Sequence, residues 1–91
     1  MYATTMNKGF NMTFENGWTV SVQWGYGNYC AAQDYGRGYG QEMKNEVHKS
    51  ETAEIAAWDE NGNWYDFGQD TVAGNKTPEE VFEFMAMIKE M

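Results

Sequence analysis

The single cysteine, Cys30, and the single histidine, His48, are the two side chains that could act as a nucleophile and its base. A thiol becomes a good nucleophile when a helix amino terminus or a basic neighbour lowers its pKa, and an imidazole base needs a third group to orient it. Cys30 lies in neither context, and no residue pattern supplies a partner for His48. We therefore expect Cys30 to be a packing residue. One cysteine also excludes an intramolecular disulfide and a cysteine-based zinc site.

Four acidic residues that are close in sequence, Asp59, Glu60, Asp66 and Asp70, form the other candidate for chemistry. Hydrolysis by paired carboxyl groups needs two acids held a fixed distance apart in a cleft. These acids lie on and around the turn 59–62, where carboxylates normally face solvent. The turn also departs from a calcium loop, because its glycine is the fourth residue rather than the sixth. We expect no catalytic residues, no metal and no cofactor.

The stretch Gln23 to Glu42 contains five of the ten glycines and four of the six tyrosines. Its glycines lack the Lys-Ser/Thr pair and the preceding strand–helix context of a phosphate-binding loop. Aromatic residues with an arginine are typical of single-strand nucleic-acid surfaces, but such surfaces need a basic groove. The same composition is typical of antibody paratopes, where tyrosine gives contact area and glycine adapts the backbone. We therefore predict a protein-binding surface made by Tyr26, Tyr29, Tyr35, Arg37 and Tyr39. In the alternative interpretation these tyrosines pack on the sheet and the glycines only make turns.

The net charge of −8 and the isoelectric point near 4.4 limit the possible partners. A chain this acidic is repelled by nucleic acid and by anionic membranes, so direct binding to either is not expected. The charge fits a small soluble domain, or one that engages a basic surface on another protein. In the second case Asp59, Glu60, Asp66 and Asp70 would steer the association.

The length of 91 residues suits a single domain, 1–91. Fifteen aromatic residues and seven methionines, with two isoleucines and no leucine, predict a core built on a few large rings. No apolar run is long enough to span a bilayer, and the first residues do not follow the signal-peptide pattern. We expect a soluble protein of a reducing, cytoplasmic compartment.

Alternating apolar residues predict two β-hairpins that would position these candidate residues. Phe10, Met12 and Phe14 lead through Asn16-Gly17 into the strand WTVSVQW, and Asn-Gly predicts a type I′ turn. A second pair of strands, from about Thr52 to Trp58 and across NWYDF, surrounds Asn61-Gly62. Trp18, Val20, Val22, Trp24 and Ile55 are expected to form the core together with a C-terminal helix, and Trp58 and Trp64 are expected on the face that the core does not use.

A C-terminal helix is predicted from Thr77-Pro78-Glu79-Glu80, which combines an N-cap, proline at the first helical position and a capping box. Val81, Phe84, Met85 and Ile88 form the apolar stripe of this helix, which should end near residue 90. Residues 68–76 are expected to be a loop. The predicted fold is α+β, a four-stranded antiparallel sheet with one helix on one face, in the order ββββα.

The stretches WTVSVQWGYGNYC, AEIAAWDENGNWYDF and TPEEV resemble small accessory proteins of tailed bacteriophages, over most of residues 12 to 85. The resemblance brings no activity motif. It implies a phage protein made in the bacterial cytoplasm, from a gene class rich in inhibitors of host enzymes and of anti-phage defences such as CRISPR effectors. The expected function is therefore non-enzymatic inhibition of a bacterial protein. The alternative is a structural module that forms a homodimer through its exposed aromatic sheet face.

Overall fold

The computed structural model describes residues 1–4, 8–24 and 49–91. Within them, five strands form one antiparallel sheet in sequence order, and one helix follows. The strands are β1 (Tyr2–Thr4), β2 (Gly9–Thr13), β3 (Thr19–Gln23), β4 (Ala53–Trp58) and β5 (Ala73–Lys76), and the helix is α1 (Pro78–Lys89). The α+β class is confirmed. The prediction of four strands is wrong, because β1 and β5 were not foreseen and NWYDF is not a strand.

The first hairpin joins β2 to β3 at the predicted place but with a different turn. Thr13 pairs with Thr19, and the N–H of Gly17 donates to the Phe14 carbonyl at 3.0 Å. Gly17 has a φ of 92°, whereas Asn16 is not among the described residues with positive φ. A type I′ turn would need positive φ at both residues. The observed arrangement is a type I turn followed by a glycine bulge, the usual form of a three-residue hairpin loop.

The second hairpin begins in the same way and then stops. The N–H of Gly62 donates to the Asp59 carbonyl at 3.1 Å, and Trp58 forms an isolated bridge with Trp64. After Tyr65 the chain leaves the sheet, and the rings of Tyr65 and Phe67 pack against Phe84 with centroids 5.5 Å and 5.2 Å away. Burying these rings beside the helix replaces further strand pairing.

Strand β5 takes the place that the return strand was predicted to fill. Ala73 pairs with Ile55, and Lys76 pairs with Ala53, with a shift of register between the two pairs. Asn75 has a φ of 55°, an uncommon value for a non-glycine residue that fits a local irregularity in an edge strand. The prediction of a loop over 68–76 is therefore wrong for its last four residues.

Helix α1 begins as predicted, with a complete capping box. The N–H of Glu80 donates to Thr77 Oγ1 at 3.2 Å, and the N–H of Thr77 donates to Glu80 Oε1 at 2.9 Å. Phe84 and Ile88 are buried against the sheet, and Val81 and Met85 are half-buried beside them. Such a cap is worth about 1 kcal/mol, and the apolar stripe supplies most of the remaining helix stability.

The core lies between α1 and strands β3 to β5. Among the described residues, its cluster of buried side chains comprises Val20, Val22, Ala53, Ile55, Ala57, Phe84 and Ile88. Phe84 is the single aromatic member of this buried cluster, but further rings are partly buried against it, among them Phe10, Phe14, Tyr65 and Phe67. The predicted core residues Trp18 and Trp24 are half-buried and pack around this centre. Within the described ranges, no helix has both the length and the hydropathy that crossing a bilayer requires.

Candidate interaction surfaces

The tyrosine-rich surface predicted from the sequence lies outside the described residues. This concerns Tyr26, Tyr29, Tyr35, Arg37 and Tyr39, together with Cys30 and His48. The acidic residues of the second hairpin are described, and so is the sheet face that carries Trp58 and Trp64. These two regions are the candidate surfaces that the structure can place.

Asp59 organises the turn in which it stands. Its Oδ1 accepts the N–H groups of Asn61 and Asn63, each at 2.9 Å, and its Oδ2 accepts the side-chain amide of Asn63 at 3.2 Å. The hydrogen bond from the Asn63 backbone, with smaller help from the other donors, lowers the pKa of Asp59 below the usual aspartate value. Asp59 is therefore ionised at neutral pH and fixed in direction by the turn.

Asp66 and Asp70 shape the loop that follows Tyr65. Asp66 Oδ1 accepts the N–H of Gly68 at 2.7 Å, and Asp70 Oδ1 accepts the N–H of Thr71 at 2.7 Å. Both residues are exposed. Side-chain-to-backbone bonds of this kind are typical of aspartate in turns. A structural role thus accounts for both residues, while their charge remains on the surface.

Glu60 differs from these aspartates, because its side chain lies against the first turn and not against the backbone of its own turn. A side-chain carbon added at Gly17 would lie 3.0 Å from the Glu60 carboxylate, so the second turn rests on the first. Asn16, in the first turn, donates from Nδ2 to the carbonyls of Ile88 and Lys89 at 2.9 Å and 3.1 Å. Both turns and the C-terminal end of α1 therefore meet at one end of the sheet.

We call this region the turn end; its acidic residues are Glu15, Asp59, Glu60 and Glu90. One basic side chain of the described residues, Lys89, lies there, and it forms an exposed ion pair with Glu90 at 3.2 Å. An exposed pair of this kind contributes little to stability. The carbonyls at the end of α1 add the negative end of the helix dipole. Lys8, Lys49 and Lys76 lie toward the opposite end, next to Gly9, Ser50 and Thr77. Four acidic side chains and one basic one thus give the turn end a local excess of negative charge.

The second face of the sheet, opposite α1, carries a shallow groove of about 200 Å³. The rings of Trp58 and Trp64 form one wall, with centroids 4.9 Å apart and planes inclined by 39°. The other lining residues include Asn11, Ser21, Gln23 and Glu54. The two tryptophans thus lie on the face where the strand pattern predicts them, and Trp64 remains 49% exposed.

Polar atoms form the floor of this groove, which we call the tryptophan groove. Ser21 is buried, and its Oγ accepts the side-chain amide of Gln23 at 3.1 Å. Asn11 Oδ1 is buried without a hydrogen-bond partner. Buried polar atoms are normally paired, and leaving one unpaired costs about 1–3 kcal/mol. A buried unpaired carbonyl oxygen beneath a groove gains a hydrogen bond if its side chain turns toward a donor that enters the groove.

No arrangement for metal chemistry is found in the described residues. Within 1–4, 8–24 and 49–91, no three side chains of the carboxylate, imidazole or thiol type converge where a metal ion could bind. No protein family, curated protein or solved structure matches the chain. The geometry of the turn end and of the tryptophan groove is therefore the basis for a functional proposal.

The sequence analysis missed Asn11 and Asn16 as residues of interest. The signal for Asn11 was present, since alternation from Phe10 and Met12 puts it on the face of Ser21 and Trp58. No feature of the sequence pointed to the role of Asn16, because its partners are backbone carbonyls more than 70 residues away along the chain. Turn propensity explains an asparagine at this position without reference to the helix.

Proposed function

We propose that the protein is a phage-encoded, non-enzymatic inhibitor that binds a basic surface on a bacterial host or defence protein, such as a CRISPR effector. The observation that carries the proposal is the charge of the described fold. Its ranges contain eleven acidic residues and four lysines, a balance of −7 out of the total of −8. An acidic protein of this kind competes with nucleic acid for the same basic groove.

The turn end supplies the steering charge in this proposal. Glu15, Glu60 and Glu90 are exposed there, and Asp59 is held ionised by its hydrogen bonds. Asp66 and Asp70 add exposed charge on the loop after the second hairpin. Charges of this type raise the association rate more than they lower the dissociation rate. The contact area would come from Tyr26, Tyr29, Tyr35, Arg37 and Tyr39.

The first experiment is capture of the partner by tagged protein from phage-infected bacteria at low salt, about 0.01 M, where the Debye length is about 30 Å. The complex is then reconstituted with the purified partner. The expected partner has a basic nucleic-acid site. Its affinity for the protein should fall steeply as salt rises, and the protein should displace nucleic acid from it. Recovery of no bacterial protein at low salt, or a complex that leaves nucleic-acid binding intact, would contradict the proposal.

Variants then separate local charge from total charge. Changing Glu15 and Glu60 to glutamine should slow association with the partner. Changing Glu51 and Glu83 to glutamine removes the same charge elsewhere and should have a smaller effect. Equal effects of the two pairs would mean that the turn end has no special part in binding.

The tyrosine-rich segment is tested separately, by a triple change of Tyr35, Arg37 and Tyr39 to alanine. Partner binding should be lost while the melting temperature stays nearly unchanged, because the anchors of an interface contribute to binding and not to the core. If stability and binding fall together, the segment is part of the core.

The second candidate function is a structural module that self-associates through the tryptophan groove. The Trp58–Trp64 pair favours it, because an exposed aromatic patch is often buried in a dimer. Light scattering should then give a dimer at micromolar concentration, and Trp64→Ala should convert it to a monomer. A monomer at all concentrations would exclude this candidate.

A further inference from the structure

We infer that the tryptophan groove binds an arginine side chain of the partner protein. The inference rests on the proposed binding to a basic partner, and it specifies the chemical group that is recognised and the place where it binds. It draws on the size of the groove, the polarity of its floor, its aromatic wall and its charge.

The size of the groove limits its occupant to something small. Its volume of about 200 Å³ is below the range of roughly 300–1,000 Å³ that is usual for sites of drug-sized ligands and cofactors. The groove is also open along the sheet face, since Trp64 is 49% exposed at its rim. A side chain that enters from a partner surface fits these dimensions better than a free small molecule.

The floor of the groove calls for a hydrogen-bond donor. Asn11 Oδ1 is a buried acceptor without a partner. Ser21 Oγ, next to it on the same face, already accepts from Gln23 at 3.1 Å and keeps a further lone pair. An occupant with several N–H groups and no acceptor, such as a guanidinium, would satisfy Asn11, once its side chain turns toward the groove, without placing a second acceptor against it.

The wall and the charge of the groove both favour a cation. The faces of Trp58 and Trp64 carry the negative part of the indole quadrupole, and tryptophan is the best aromatic partner for a cation. Glu54 lines the same groove and adds a carboxylate. The described fold as a whole has a charge of −7, from eleven acidic residues and four lysines, so its long-range field attracts the same ligand.

Arginine fits this set of groups better than lysine. Its guanidinium is planar, so it can stack on an indole ring while its edge donates to oxygen atoms. The ammonium group of lysine is a strongly hydrated point charge and cannot make both contacts in one plane. The groove offers aromatic rings and polar acceptors side by side, which is the combination that a guanidinium uses.

The test is a titration of the ¹⁵N-labelled protein with an unstructured peptide of Arg-Gly-Gly repeats, followed by NMR. The indole N–H signals of Trp58 and Trp64 and the side-chain amide of Asn11 should shift most. A matched Lys-Gly-Gly peptide should bind more weakly, and a citrulline-Gly-Gly peptide, which is neutral and nearly isosteric, should bind about tenfold more weakly than arginine. Equal binding of the arginine and citrulline peptides would overturn the inference.

Three variants sharpen the result. Trp64→Ala and Glu54→Gln should each weaken the arginine peptide severalfold, whereas Glu83→Gln, which removes one charge from the exposed side of α1, should leave it unchanged. Unaltered signals of the buried Val20 and Val22 would show that each variant is folded. If all three variants lose binding to the same extent, the groove is not the binding site, and the peptide responds only to the net charge of the protein.

Other outcomes separate this inference from the proposed function. Shifts confined to Glu15 and Glu60 would place the cation at the turn end; the groove assignment would then be wrong while binding to a basic partner would stand. Groove signals that move on dilution without any peptide would make a second copy of the chain the occupant, against this inference. A bacterial partner that binds Trp64→Ala as tightly as the unchanged protein would likewise overturn the groove and leave the proposed function intact.

Discussion

Asn16 is predicted to hold the first turn to the end of the helix, and changing it to alanine or to aspartate tests this in two ways. Its Nδ2 donates to the carbonyls of Ile88 and Lys89 at 2.9 Å and 3.1 Å, and its Oδ1 accepts the N–H of Trp18 at 3.0 Å. Alanine removes both functions of the side chain. Aspartate keeps the acceptor for Trp18 and replaces the donor by a negative charge.

The size of the effect follows from these contacts. Each hydrogen bond in a protein contributes a net of about 0.5–1.5 kcal/mol, and the lower values apply here because Asn16 is exposed. Alanine should therefore cost about 1 kcal/mol, or roughly 4–8 °C in melting temperature for a domain of this size. The carboxylate faces the negative end of the helix dipole, which adds about 0.3–1 kcal/mol to the loss. Asn16→Asp should thus be the more destabilised variant at neutral pH.

Thermal unfolding by circular dichroism at pH 7 and low salt measures both variants. Asn61→Ala is the matched control, since Asn61 has the same position in the second turn and its N–H, rather than its side chain, makes the contact. The loss of melting temperature in Asn16→Asp should become smaller on acidification. Repulsion by the helix carbonyls raises the folded-state pKa of the introduced carboxyl, and the protonated carboxyl can donate to these carbonyls again. Equal melting of Asn16→Ala and Asn61→Ala would refute the role of the helix contact, and an aspartate variant no worse than alanine would refute the charge argument.

Two further predictions concern acid and backbone geometry. The pKa values of Asp59 and Glu80 are lowered, chiefly by hydrogen bonds from the backbone of Asn63 and of Thr77. The stability that these two carboxylates contribute to the fold is therefore complete above their usual pKa values near 4, and it is lost as the pH falls through their lowered pKa values. The melting temperature should therefore fall below about pH 4. It should fall less steeply in the double variant Asp59→Asn with Glu80→Gln, because each amide keeps one accepting oxygen and does not titrate. Gly9→Ala should lower the melting temperature more than Gly62→Ala, by the equivalent of at least ~1 kcal/mol: a side-chain carbon at Gly9 would lie 2.0 Å from the Val22 carbonyl oxygen, whereas nothing lies within 4 Å at Gly62. Equal losses would contradict the close approach at Gly9.

The strands that the sequence analysis recognised have apolar residues at alternate positions, which are large in β2 and β3 and are Ala53, Ile55 and Ala57 in β4. Phe10 and Met12 in β2, and Val20 and Val22 in β3, alternate with polar residues as predicted, and Val20 and Val22 are buried in the core as predicted. Strand β5, Ala-Gly-Asn-Lys, has one apolar residue and a left-handed Asn75, so it has no period to detect. Strand β5 forms because it pairs with β4 in the tertiary structure, and the weak strand propensity of its own residues does not prevent this.

The turns illustrate the limit of a dipeptide signal. Asn16-Gly17 and Asn61-Gly62 both mark a hairpin, as predicted, but the strands meet one residue further out than a two-residue turn would require. The extra residue lets the loop form a type I turn with only glycine at positive φ, at 92° and 84°. Asparagine is then free to use its side chain, and at Asn16 it does so on the helix. The length of the loop, and with it the role of Asn16, depends on which residues pair across the strands.

The early end of the second hairpin explains both the core and the tryptophan groove. If the return strand had continued in register with β4, Asp66 would lie opposite Ala56, on the face of the groove and next to the position of Glu54. Two carboxylates side by side on a half-buried face repel each other, whereas the exposed loop lets Asp66 accept the N–H of Gly68. The same departure sends Tyr65 and Phe67 onto Phe84. Trp64 then lies at the rim of the second face, where its ring leans on Trp58 beside the polar residues Asn11 and Ser21.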